Sequence, residues 1–230
     1  MAEKEYRQHS FQRPPGATEI LLVRHGESRA ASLENPFPLV DGQGDPELHT
    51  NGERQAERVG ERLKGEPISA IYVTNLQRTS QTAAPLAGHL GLTPIMEPDL
   101  REVHLGEWEG GVLRVKAAEQ HPIYLQMQQE QRWDVIPGAE SWQQLNTRVM
   151  RGLKKIQATH PDELVVAVVH GGIVAHILAH AVDARPFAFA GADNGSISHI
   201  VMVEDRILVR RFNDAAHLLD TLHDGSGAMT

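Results

Sequence analysis

Two short runs in this 230-residue chain are apolar at successive positions and end in the same two residues: Leu21-Leu22-Val23-Arg24-His25-Gly26 and Val166-Ala167-Val168-Val169-His170-Gly171. Apolar residues at every position, rather than at alternate ones, mark strands covered on both faces, and such strands belong to parallel sheets flanked by helices. In open α/β sheets a ligand binds just outside the carboxyl ends of the strands. If the two strands are neighbours, both imidazoles face one crevice. The glycine after each histidine permits a positive φ and a close approach of backbone to ligand, and the amides that open a following helix point at anions.

The rest of the chain fits one α/β sheet covered on both faces. A loop rich in Pro, Gly and Asp (35–46) follows the first run, and Ala56, Val59 and Leu63 then recur at helical spacing. Residues 70–73 supply another strand. Leu76, Thr79, Ala83, Leu86 and Leu90 form the inward stripe of a second helix, which Pro85 is expected to kink. Ser141 with Gln144 three residues on is a capping-box start for a helix through Leu145, Val149, Leu153 and Ile156. After the second run, Ile173, Ile177 and Leu178 begin another helix, and 197–203 with 207–212 around Glu204-Asp205 read as a hairpin. The polar leader, which reaches Pro14-Pro15-Gly16, sets a division into a flexible extension (1–18), one domain (19–214) and a tail (215–230). An apolar edge strand near Ile197 would allow a homodimer.

Composition removes several function classes. Lys and Arg total 22 against 30 Asp and Glu, a net charge of −8, with no basic run to contradict it, so nucleic acid is not an expected partner. Without cysteine there are no disulfides, thiolate nucleophiles, iron–sulfur clusters or Cys-type zinc sites. The first residues carry charge and no apolar stretch, and no segment reads as a membrane span, so a cytoplasmic protein with no membrane partner is expected.

Against that acidic background, two arginines converge on the histidines. Arg24 ends the first strand, and Arg78 opens a helix after Thr74-Asn75-Leu76-Gln77. Guanidinium forks suit phosphate oxygens better than lysine's point charge does, so the ligand reads as phosphoryl. For its transfer a neutral imidazole nitrogen is the attacker, and His25 is the candidate nucleophile. The positive side chains offset the charge of the transferring group, so neither a metal nor a cofactor is called for. The leaving alkoxide needs a proton from a carboxyl of raised pKa. Glu102, Glu107 and Glu109, in Leu100-Arg101-Glu102-Val103-His104-Leu105-Gly106-Glu107-Trp108-Glu109-Gly110, are the candidates, and spacing does not choose among them.

Arg24-His25-Gly26-Glu27, the Arg78 segment, Leu100-Arg101-Glu102 with the Trp108-Glu109-Gly110 turn, and His170-Gly171 together resemble the histidine phosphatase superfamily, in particular its phosphoglycerate-mutase-like branch. The motifs keep the family's order from about residue 20 to residue 212. The resemblance implies a three-layer α/β/α sandwich with a mostly parallel central sheet and a covalent phosphohistidine on His25. It implies a phosphate pocket of Arg24, Arg78 and His170, with Gly26, Ser28 and Gly171 completing the binding set, and it ranks Glu102 first as the acid that later activates water. The implied activity is metal-independent hydrolysis of a small phosphomonoester.

The chain departs from the family pattern in one place. Relatives often read RHGET-x-W-N, whereas Gly26-Glu27-Ser28 here runs into Arg29-Ala30-Ala31, with alanine where the pocket asparagine usually stands. The loop that follows is longer than the common form, and Asn35 is the candidate to fill the role from a shifted position. Mutases of this branch carry a longer insertion between the WEG-like turn and the PGGES-like helix start. Only residues 111–136 separate Gly110 from Pro137 here, so hydrolysis is favoured over mutase transfer, which depends on holding a second alcohol in position.

Other readings are weaker. A non-catalytic phospho-ligand binding module would not need both histidines, both arginines and a carboxyl. A serine esterase built on Ser28 and His170-Gly171-Gly172 has its elements in the wrong order. His176 and His180 have the i, i+4 spacing of a zinc pair but no third ligand, and read as structural. Trp108, Trp133 and Trp142 read as packing residues before they read as a substrate mouth.

Overall fold

The strand that begins the fold is longer than its apolar run. In the computed structural model, which describes residues 6–219, β1 spans Thr18–Arg24. Ala17 and Thr18 are fully buried, and Thr18 Oγ1 donates to the His160 carbonyl at 2.8 Å. The expected leader therefore stops being an extension before residue 18. Gly16 N–H donates to Asp162 Oδ1, and the Phe11 ring lies under the Arg210 guanidinium, 3.8 Å from its carbon. Residues 1–5 and 220–230, parts of the expected extension and tail, lie outside the described residues. The start of that tail folds back, with Leu218 accepting a hydrogen bond from Arg58 at 2.7 Å.

In chain order the elements are β1, the two-residue strands β2 (Leu39–Val40) and β3 (Gln43–Gly44), α1 (Thr50–Leu63), β4 (Ile68–Val73), α2 (Gln77–Leu90), β5 (Ile95–Met96), α3 (Val112–Ala118), α4 (Pro122–Glu130), α5 (Trp142–Thr159), β6 (Leu164–Val169), α6 (Gly171–Ala181), β7 (Ile197–Val203) and β8 (Arg206–Asp214). The six-stranded sheet has the order β5-β4-β6-β1-β7-β8, parallel from β5 to β1 and antiparallel through β7 and β8.

The parallel strands β4, β6 and β1 each feed both layers, as unbroken apolar runs predict. On one face Ile20 and Leu22 of β1 join Val165, Ala167 and Val169 of β6 against Leu145, Val149, Leu153 and Ile156 of α5 and Ile173 and Ile177 of α6. On the other, Leu21, Val23, Val166 and Val168 pack on Val59 and Leu63 of α1 and Ala83 and Leu86 of α2. The sandwich is thus α/β/α, with α5 begun by the expected capping box at Ser141 and Gln144. No helix among the described residues is long and apolar enough to cross a membrane.

Two expectations need correcting. Helix α2 is continuous through Pro85, and the member of its expected stripe that falls outside it is Leu76, its N-cap. Gly60 of α1 faces this stretch, where an added Cβ would come within 3.0 Å of the Pro85 Cβ, so the two helices meet closely at the proline. The strand at Ile197 is not an edge: β7 lies between β1 and β8, and the sheet's edges are β5 and β8. Its backbone groups are paired on both sides and offer no template to a second copy.

Candidate active site

Three adjacent strands, β4, β6 and β1, deliver three side chains to one spot because each is followed at once by a polar residue. Arg24 of β1 is level with Val169 of β6, so the next residues, His25 and His170, emerge side by side with ring centroids 5.2 Å apart. From β4 comes Thr74, whose Oγ1 is 3.0 Å from His170 Nε2. Both histidines are buried.

His25 has its tautomer fixed by its own backbone. Nδ1 is 2.7 Å from the Gly26 carbonyl, which only accepts, so Nδ1 carries the proton and Nε2 keeps its lone pair. Arg78 Nε donates to that Nε2 at 3.2 Å. Burial, followed by the charges of Arg78 and Arg24, holds the His25 imidazole well below its ordinary pKa and therefore neutral. His170 is lowered for the same reasons, burial first and then Arg78.

Arg78 stands in the first turn of α2, where its Nη1 donates to the Gly44 carbonyl at 3.0 Å and lies 3.8 Å from Asp45 Oδ1. Burial brings its pKa down to about 10, so it stays charged at neutral pH. Arg24 donates to the Ala192 carbonyl. Its Nε and the Nδ1 of His170 are buried with no hydrogen-bond partner among the described residues, which is costly unless a ligand satisfies them.

The structure separates the three carboxyls that spacing left equivalent. Glu109 is spent on the backbone, accepting from Leu105 N–H and Gly44 N–H at 2.8 Å each, and Glu107 is exposed. Glu102 alone of the three meets the α6 terminus, accepting from Val103 N–H at 2.9 Å and Gly172 N–H at 3.3 Å. Burial raises its pKa, and the two amides, Arg78 and Arg24 only partly oppose this.

Neither Gly26 nor Gly171 has a positive φ, so the expected conformational reason for these glycines does not hold. Their reason is space. A Cβ at Gly26 would lie 2.5 Å from the Gly52 carbonyl oxygen, and one at Gly171 3.2 Å from Arg24 Nε. The tightest fit at the acid belongs to Gly172, where a Cβ would fall 2.6 Å from Glu102 Oε1.

Asn35 is not with the others. Its side chain is exposed, and its carbonyl accepts from Arg29 Nη1 at 3.4 Å. Ser28 is buried, and its Oγ accepts from Arg114 Nη2 at 2.7 Å. Sequence reasoning missed Arg114, which belongs to the insert 111–136, and it missed three positioning groups. Asn194 Nδ2 donates to the His25 carbonyl at 2.9 Å. The β2–β3 hairpin, turned by Asp41-Gly42 with both φ positive, sends Gln43 Nε2 to the Glu102 carbonyl at 2.7 Å. Arg148 of α5, buried, donates to the carbonyls of Asp99, Arg101 and Glu102 and pairs twice with Glu140 at 2.8 Å. Its signal was available, since an arginine beside Val149 on the apolar stripe of a helix must be buried and paired. The packing readings hold for Trp108, buried with Met127 and Ile136, and for His176, buried against Trp142 with Nε2 on Asn146.

Two histidines, two arginines and a carboxyl gathered beyond the carboxyl ends of the parallel strands make a site suited to a phosphoryl anion. The sequence profile of the histidine phosphatase superfamily (branch 1) matches residues 20–215, and the chain belongs to that family. It is 34% identical over 218 residues to phosphoglycerate mutase-like protein 4 of Arabidopsis thaliana, covering 91% of each chain. It is 31% identical to the metal-independent phosphoserine phosphatase of the same plant, covering 87% of this chain and 83% of the relative. Among solved structures, a mycobacterial glucosyl-3-phosphoglycerate phosphatase aligns with TM-score 0.72 and 25% identity, covering 86% of this chain and 99% of that one.

Proposed function

We propose that this member of the family hydrolyses a small phosphomonoester through a phosphohistidine on His25. The observation that carries the reading is the His25 ring itself, with Nδ1–H committed to the Gly26 carbonyl and Nε2 left as an acceptor facing Arg78 Nε. In the first step Nε2 attacks phosphorus, the bond from phosphorus to the ester oxygen breaks, and protonated Glu102 gives its proton to the departing alkoxide. In the second, the Glu102 carboxylate takes a proton from water, the resulting hydroxide attacks phosphorus, and the N–P bond breaks to release inorganic phosphate and neutral His25. Arg24, Arg78 and His170 bind the phosphoryl oxygens, with Gly26, Ser28 and Gly171 lining the pocket, and the guanidiniums offset the charge that a metal would otherwise offset.

The relatives named as phosphoserine and glucosyl-3-phosphoglycerate phosphatases support a small phosphorylated metabolite as substrate. Charged metabolites of this kind do not cross bilayers unaided, which fits a cytoplasmic site of action. The test is hydrolysis of p-nitrophenyl phosphate with and without EDTA. Chelator-resistant turnover that is lost in His25→Ala is expected, and turnover by that variant at the wild-type rate overturns the assignment.

A second reading, mutase transfer, is favoured by the relative named phosphoglycerate mutase-like protein 4. Phosphate exchange between the 2- and 3-positions of phosphoglycerate, strongly stimulated by the bisphosphate, would establish it in place of hydrolysis.

A further inference from the structure

The phosphohistidine reading employs two arginines and leaves a third guanidinium at the same site without a task. Arg114, in α3, donates from Nη2 to Ser28 Oγ at 2.7 Å and from Nη1 to the Arg29 carbonyl at 2.9 Å. Its guanidinium carbon lies 5.3 Å from the centroid of the buried Phe37 ring, which the Arg29 guanidinium also approaches, at 5.1 Å. The two cations have different fates. Arg29 is paired with Glu47 at 3.1 Å, whereas no carboxylate among the described residues forms an ion pair with Arg114.

The approach of α3 to this loop depends on small residues. Gly111, at φ +102°, would carry a Cβ 3.0 Å from the Ala31 Cβ and 3.1 Å from the Phe37 ring. With alanine at 31 and glycine at 111 the helix start closes on the loop, and Arg114, less than one turn further on, reaches back to Ser28. Ser28 in turn is buried three residues after His25. The charge of Arg114 bears on the reacting ring, adding to burial, Arg78 and Arg24 in lowering the His25 pKa. Arg114 is exposed to solvent, and its contact with Ser28 costs it part of its hydration, which with the nearby Arg24 opposes its charge while Glu27 favours it.

A guanidinium held by two hydrogen bonds and an aromatic ring loses little freedom on binding and still has N–H donors to offer, an arrangement suited to an oxyanion. We propose that Arg114 is a third arginine ligand of the transferred phosphoryl group and closes the pocket on the Ser28 side. The inference rests on the reading of the pocket as a phosphoryl site. It places the ligand on helix α3 of the insert, so this chain binds phosphate with a residue outside the strand-end motifs.

The test is calorimetric titration of inorganic phosphate into the full chain, with p-nitrophenyl phosphate turnover measured in parallel, for wild type, Arg114→Ala, Arg114→Lys and His25→Ala. Arg114→Ala is expected to lose roughly tenfold or more in phosphate affinity and in kcat/KM on p-nitrophenyl phosphate, which carries no second anion, and Arg114→Lys to recover part of both. Thermal melts that match wild type establish that the variants are folded. Phosphate affinity and p-nitrophenyl phosphate turnover close to wild type in Arg114→Ala overturn the proposal. That result together with losses confined to carboxylate-bearing phosphomonoesters overturns it equally, and assigns Arg114 to a second anion of the substrate. Failure here is separable from failure of the phosphohistidine reading. An unaffected Arg114→Ala beside an inactive His25→Ala sinks only the former, and weakened phosphate binding in Arg114→Ala beside a fully active His25→Ala sinks only the latter.

Discussion

Arg78 Nε sits 3.2 Å from His25 Nε2, the one ring nitrogen that the Gly26 carbonyl leaves unprotonated. The contact does two things. It engages the Nε2 lone pair, which the Arg78 N–H must release before Nε2 can attack in the proposed reaction, and it sets a positive charge against the ring so that protonation is disfavoured.

That relationship predicts the acid side of the pH profile. A histidine with a lowered pKa stays neutral as pH falls through 6.5, its ordinary value, so the loss of kcat/KM from protonating His25 comes at lower pH than a free imidazole would give. In the proposed reaction Glu102, with a raised pKa, holds a proton for the first step and loses it as pH rises, so a descending limb displaced above the ordinary carboxyl value of 4.5 is expected. The measurement is kcat/KM against pH on an alkyl phosphate, in wild type and Glu102→Gln. Loss of the descending limb in the variant is expected. A limb that survives unchanged assigns it to another group.

Leaving-group chemistry gives a second check on Glu102. Glu102→Gln is expected to slow an alkyl phosphate by about 10²–10⁴-fold and p-nitrophenyl phosphate by far less, because a good leaving group hardly needs protonation. Equal losses on the two substrates would point to a different acid.

Gly172 leaves the room in which the Glu102 carboxyl lies, since a methyl group there would sit 2.6 Å from Glu102 Oε1 and 2.9 Å from Val103 Cγ2. Gly172→Ala is expected to displace the carboxyl and lower kcat on alkyl phosphates by about 10²-fold, the scale of a misplaced catalytic group. Steady-state kinetics beside a thermal melt separates this from unfolding, and wild-type kinetics would show that the carboxyl tolerates the shift.

Arg148 should matter for stability as well as rate. Its removal leaves the Glu140 carboxylate without its buried partner and three carbonyls without a donor, so Arg148→Ala is expected to destabilise the fold by about 3–5 kcal/mol. Denaturant unfolding measures this, and a loss under about 1 kcal/mol, the scale of an exposed pair, would contradict it.

Much of this was legible in the residues, and the parts that were not share a cause. The runs ending at His25 and His170 declared a parallel sheet and its ligand edge because apolar continuity is a local property. Which carboxyl meets the pocket was not local. Glu102 is distinguished from Glu109 by contact with Gly172, seventy residues away in sequence, and only the family resemblance ranked it first. The interior position of β7 was hidden because an apolar strand reads alike at an edge and beside a neighbour. Asn35 was chosen by residue type, yet the long loop turns it outward, while the side chain that reaches Ser28 comes from helix α3, which no pattern tied to the site.

A covalent bond from phosphorus to His25 Nε2 can be trapped by rapid quenching during turnover of a radiolabelled phosphomonoester. Label that is stable to base and labile to acid, mapping to the peptide that contains His25 and absent from His25→Ala, is expected. Label on any other residue, or turnover with no labelled protein at any time point, would contradict it.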